Sequence, residues 1–169
     1  MVLEKAGQSV SLNGKLYTVG EMVWAANKLR DGKFGVIHKI RINSHGRLIA
    51  LCEFAETDIT EIHLAALEPI SQAVPTKIGQ QYTLSYYYDG SGGMLKNVLG
   101  ISPDKSVLLR LMLEDMKETP DVPLTASFYC VKEDVLRFVF ENDEPNDPTY
   151  VEYTIMPTPV YPKSKEATV

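Results

Sequence analysis

Between Val10 and Ile70 the apolar residues recur in short runs of period two, each closed by glycine or by polar residues, which predicts strands rather than helices. Val10 and Leu12 precede Asn13-Gly14, and Leu16, Tyr17 and Val19 follow it. Asn-Gly suits a two-residue hairpin because both turn positions need positive φ, so the chain is expected to open with a hairpin. Met22-Val23-Trp24-Ala25 reads as a short strand, and 27–32 as a polar loop. From Phe34 to Ile42 the alternation places Val36, His38, Ile40 and Ile42 on one face and Ile37, Lys39, Arg41 and Asn43 on the other. Asn43-Ser44-His45-Gly46 then turns the chain into a partner strand, Arg47 to Phe54, with Leu48, Ala50, Cys52 and Phe54 on a single face. Thr60 to Leu64 is expected as a strand, Ala65 to Leu67 as one helical turn, and Glu68-Pro69-Ile70 as a closing strand. A short amphipathic helix over 58–67 is the competing assignment.

The order Gly20-Glu21-Met22-Val23, then Gly32-Lys33-Phe34-Gly35-Val36-Ile37, then a glycine-turned hairpin, then Leu64-Ala65-Ala66-Leu67-Glu68-Pro69-Ile70 resembles the Tudor-type and KOW-type barrels of the SH3-like group. The resemblance covers residues 17–70 and implies a small, five-stranded barrel with a one-turn helix before its last strand. It implies no particular activity, because barrels of this group host unrelated ones.

The second half of the chain changes pattern. Ser71 to Thr76 reads as a linker. Gln81 to Tyr88 and Met94 to Ile101 read as a hairpin around Gly90-Ser91-Gly92-Gly93. Ser102-Pro103-Asp104 predicts a helix start with a capping hydroxyl and proline at the first helical position, and Thr119-Pro120 predicts its end. Leu124 to Val131, Val135 to Glu141 and Tyr150 to Met156 supply three more strands, the first two joined by Lys132-Glu133-Asp134. The expected fold is mainly β with an α+β second part: an SH3-like barrel with its N-terminal hairpin over 1–72, an antiparallel sheet with one packed helix (ββαβββ) over 77–157, and a tail over 158–169.

Composition narrows the function classes. Of 169 residues 44% are hydrophobic, enough for packed cores, and the formal net charge is -5. Residues 1–75 carry eight basic and eight acidic side chains and 76–169 carry nine and fourteen, so the deficit lies wholly in the second half. No overall basic excess marks a nucleic-acid coat. Cys52 and Cys130 lack metal-ligand or disulfide spacing, and no apolar run reaches membrane-spanning length. The polar start lacks the regions of a secretory signal, which leaves a cytoplasmic location as the expectation.

Candidate chemistry is sparse. Lys28, Arg30, Lys33, Lys39, Arg41 and Arg47 face only Asp31 between residues 28 and 47, a local balance of +5. Beside Trp24 and Phe34 they form a candidate basic stripe that would track phosphates and stack a base, the alternative being a solvated sheet face. Caging a methylated cation at Trp24 would need Tyr17, Trp24, Phe34 and Phe54 to converge. His38, His45 and His63 match no metal spacing, and neither a metal site nor a cofactor is expected. Tyr82, Tyr86 and Tyr88 share one strand face with Leu84, either as an interface or as half a core. The helix carries Val107, Leu108, Leu109, Leu111, Met112, Leu113 and Met116, more than one buried stripe needs. Either it is covered on two sides, or Leu109 and Met112 meet a partner. The expected function is therefore non-enzymatic binding of a protein partner or a nucleic acid, as a homo-oligomer or a subunit of a larger assembly, with no membrane role. A small hydrolase acting on a charged substrate is the alternative, without a catalytic constellation to support it.

Overall fold

A computed structural model describes residues 1–26, 32–54, 59–70, 77–119, 128–142 and 148–159, with backbone alone for 128–131 and 142. The strands are β1 (Val2–Leu3), β2 (Ser9–Leu12), β3 (Lys15–Thr18), β4 (Met22–Ala26), β5 (Gly32–Ile42), β6 (Leu48–Phe54), β7 (Ile59–His63) and β8 (Leu67–Pro69), then β9 (Tyr82–Gly90), β10 (Gly93–Ser102), β11 (Phe128–Lys132), β12 (Val135–Asn142) and β13 (Thr149–Pro157). A 3-10 turn, Leu64–Ala66, precedes β8, and the helix α1 (Lys105–Glu118) follows β10. The described residues are thus mainly β, in antiparallel sheets with α1 packed on the second of them. The linker 71–76 and residues 160–169 of the tail lie outside the described residues, whereas Thr158 extends the β13 pairing by donating its N–H to Gln81 O at 2.8 Å.

In the first half, β2 and β3 form the expected hairpin, with Asn13 at φ 52° and Gly14 at φ 77°. The main sheet has the order β7-β6-β5-β4-β8, with β1 also paired to β5. After the 3-10 turn β8 folds back to pair with β4. No hydrogen-bonded pair joins β7 to β8 among the described residues, so the sheet path stays open at its ends. Residues 59–63 are strand, because Ile49↔His63 through Glu53↔Ile59 pair them with β6, which a helix would forgo.

The expected faces of β5 need correction. The register shifts between Ile37 and Lys39, a bulge at His38 that adds a residue and resets the alternation. Ile37 and Ile40 consequently both enter the first-half core, while His38 and Ile42 are exposed and Val36 packs on the opposite side. On β6 the expected face holds: Ala50, Cys52 and Phe54 are buried with Leu48 packed beside them.

The second sheet runs β10-β9-β13-β12-β11. Its inner face presents Tyr82, Leu84 and Tyr86 from β9, Val151, Tyr153 and Ile155 from β13, and Leu136, Phe138 and Phe140 from β12, all buried in one cluster with the apolar side of α1. The helix begins one turn detail later than its sequence suggests. Asp104 is the N-cap and accepts from Ser106 N at 2.8 Å, while Ser102 Oγ accepts from Asp104 N at 3.0 Å, leaving Pro103 outside the helix. Thr119 closes it as expected.

Both surplus-apolar expectations resolve toward the core. Leu109 and Met112 are buried, as are Tyr82 and Tyr86, and Tyr88 packs partly buried beside them, so none of these is a free interface residue. The helix is covered on two sides, because Met22, Trp24, Phe34 and Ile70 from the first half join the same cluster. Phe138 is the keystone of that junction, with ring centroids 6.2 Å from Trp24 and 5.2 Å from Phe34. Arg110 donates to Gly20 O at 3.3 Å, and Lys117 pairs with Glu53, tying the outer side of the helix to the first sheet.

Candidate functional site

Among the described residues, the cations of the basic stripe and its two rings do not form one exposed surface. Lys28 and Arg30 lie outside the described residues. Lys39 pairs with Glu4 and Arg41 with Glu61, so the two cations that do share a face are each met by a carboxylate. Lys33 sits half-buried opposite Ala25, and Arg47 is exposed after the turn. Trp24 and Phe34 are buried in the junction core, which removes both rings from any stacking role at the surface. The aromatic cage fails for a related reason: Tyr17 and Phe54 belong to the first-half core, on the other side of the sheet from Trp24 and Phe34. Among the described residues no three His, Cys, Asp or Glu side chains gather to hold a metal.

Two of the clefts among the described residues are lined by three or more charged side chains. At the junction of the first sheet and the helix, a cavity of about 380 Å³ is lined by residues including Glu4, His38, Glu53, Arg110, Glu114 and Lys117. Glu53 accepts from both Lys117 and His38, and these bonds hold its carboxyl below the usual carboxylate range against the opposing effect of burial. The larger cleft, about 640 Å³, lies on the outer face of the second sheet between Ser85, Tyr87, Asp89, Lys96, Tyr150 and Glu152. Strand alternation puts Ser85, Tyr87, Tyr150 and Glu152 opposite the helix, since each neighbours an inward-facing core residue on its own strand, and Asp89 and Lys96 pair with Tyr150 and Tyr87 on that same face.

Glu152 is the centre of the larger cleft's polar network. Glu152 accepts from Arg137 at 2.7 Å, from the Tyr150 hydroxyl at 2.5 Å and from Thr154 at 2.9 Å. Burial pushes its carboxyl up, but the three donors outweigh burial and the net displacement is downward. A carboxylate held by three donors is a weak base. Tyr150 moves upward, through burial first and then through Glu152, so it is a reluctant acid. The Tyr87 and Tyr150 rings meet edge-on at 5.9 Å and form a firm aromatic floor.

Beside this cleft runs β10, an edge of the second sheet. Over ten residues its one charged side chain is Lys96, and Met94, Leu95, Val98 and Ile101 are 76%, 49%, 63% and 59% exposed. Long, apolar edges offer unpaired backbone N–H and C=O groups to another strand, and proteins usually protect them. The edges of the first sheet are protected: β8 has three residues and ends in Pro69, and five-residue β7 carries Glu61 in its pair with Arg41. β10 has a bulge between Val98 and Gly100 and little else. The sequence displayed this strand as a run from Met94 to Ile101 with a single charge. Its position at an edge depends on β13 inserting beside β9, a long-range pairing that no local pattern encodes.

No described helix is long and apolar enough to cross a membrane. Compared with protein-family models, with curated proteins and with solved structures, the chain matches none.

Proposed function

We propose that this chain is a non-enzymatic binding protein of the cytoplasm whose contact surface is the β10 edge together with the adjoining outer face of the second sheet. The observation that carries this reading is the exposure of four large apolar side chains along one ten-residue edge strand. Strand addition on such an edge gains affinity from main-chain hydrogen bonds and selectivity from alternate side chains. The partner is a protein segment rather than a nucleic acid, because the cations of the first sheet are engaged by Glu4 and Glu61 and the candidate stacking rings are buried. The SH3-like reading of residues 17–70 is supported by the strand order and by the 3-10 turn before β8, where it serves as a platform against which α1 and the second sheet pack.

The test compares capture from extracts of the native host by the full chain and by two variants. Val98→Lys is expected to abolish recovery of specific partners, and the double charge reversal Lys39→Glu/Arg41→Glu is expected to leave it unchanged. The opposite pattern, or binding of single-stranded nucleic acid with a log-log salt slope of about -3, overturns the reading.

A further inference from the structure

We propose that β10 pairs antiparallel, about a two-fold axis through Asn97, with β10 of a second copy of this chain, joining two five-stranded sheets into one. This rests on the reading of β10 as the contact edge and names what occupies it.

Side-chain parity selects the axis. Antiparallel partners must point to the same face of the joint sheet. Met94, Lys96 and Val98 lie on the outer face, opposite Asp89, Tyr87 and Ser85. Leu95 and Asn97 lie on the helix side, opposite Tyr88 and Tyr86, and Leu99 packs toward the helix core. An axis at Asn97 sets Lys96 against Val98 and Leu95 against Leu99 of the second copy, like face to like face. The bulge disturbs parity beyond that point, but there Met94 meets Gly100 and Ile101 meets Gly93, and a glycine has no side chain to misplace. An axis at Lys96 would bring two ammonium groups together, which is unfavourable. An axis at Val98 would oppose Leu95 to Ile101 across opposite faces.

Chemistry agrees with this register. Asn97 on the axis meets its own copy, and a carboxamide both donates and accepts, so two of them satisfy each other. The lone cation faces an apolar residue along whose surface its stem can lie. The four exposed apolar side chains and the edge backbone offer on the order of 500 Å² per copy, or about 1,000 Å² in all, the lower bound of specific interfaces. The dimer is accordingly reversible, with a dissociation constant of roughly micromolar size.

The experiment is light scattering and sedimentation of the full chain over a wide concentration range, with substitutions chosen by register. Wild type is expected to move from 18.9 kDa to twice that mass as concentration rises. Val98→Lys, which sets lysine against Lys96 of the second copy, is expected to weaken the dimer at least tenfold, whereas Val98→Glu retains or tightens it. Val98 is exposed, so neither substitution enters the core, and an unchanged circular dichroism spectrum shows that folding is intact. With Cys130 replaced by serine, Asn97→Cys is expected to form an intermolecular disulfide under mild oxidation, because paired Cα atoms lie about 5 Å apart, and Leu95→Cys is not. Equal loss with lysine and glutamate, or cross-linking at 95 and not at 97, overturns the register. A monomer at every concentration overturns the second copy as occupant. In that case the capture experiment separates the two readings: partners recovered by the full chain and lost with Val98→Lys leave the edge as a contact surface, and recovery that Val98→Lys does not alter removes that surface as well.

Discussion

Replacing Phe138 with alanine tests whether the two halves of the chain share one core. Phe138 is fully buried and is the ring through which β12 meets Trp24 and Phe34 of the first sheet. Phe→Ala at such a site costs about 3–5 kcal/mol from lost transfer energy and the cavity left behind, a large share of the roughly 5–15 kcal/mol that stabilises a domain. With a urea dependence of about 2 kcal/mol per M, the midpoint should fall by roughly 2 M. Phe138→Leu, a smaller volume change, should cost about 1 kcal/mol and serves if the alanine variant does not fold. Two optical probes report opposite sides of the junction. Trp24 is the sole tryptophan, and all tyrosines but Tyr17 lie in the second half. Tryptophan emission and near-ultraviolet circular dichroism of the tyrosines should therefore unfold at one midpoint, in wild type and variant alike. Separate midpoints, or a Phe138→Leu effect confined to the tyrosine signal, would refute the shared core.

Three further outcomes are expected. Glu152 has a folded pKa below its unfolded value, so its contribution is complete above about pH 4.3 and is lost as pH falls through the folded value; Glu152→Gln should show a flatter loss of urea midpoint between pH 6 and pH 3 than wild type, and parallel curves would contradict the network. Gly35→Ala should destabilise by about 1–3 kcal/mol, since a Cβ there would stand 2.5 Å from the backbone oxygen of Glu53, while Gly92→Ala, with nothing within 4 Å, should be near neutral by thermal melting. Asp104→Ala should cost about 1 kcal/mol and Ser102→Ala less, the reverse ranking showing that Ser102 is the true cap.

The local grammar of the chain was legible. Asn13-Gly14, the Asn43–Gly46 turn and the Thr119-Pro120 stop each mark an element end that the fold shows, because they act through φ preferences within a few residues. The β5 faces were not legible, because a one-residue bulge at His38 inverts the alternation without any composition signal of its own. The candidate sites misled for a deeper reason. Trp24 and Phe34 look like surplus aromatic surface when the first half is read alone and become core once the halves pack together, whereas Tyr82, Tyr86, Leu109 and Met112 become core where α1 packs on the second sheet. Lys39 and Arg41 look like free cations until Glu4, just beyond β1, and Glu61, on β7 across β6, meet them.

Hydrogen exchange of the β10 backbone addresses the contact edge most directly. In the full chain at high concentration, amides of residues 94–101 that point away from β9 should be protected, and dilution should release them while β7 and β9 keep their rates. Exchange along β10 that ignores concentration and added partner alike, or protection gained instead at β7, would contradict the assignment of this edge as the surface through which the protein binds.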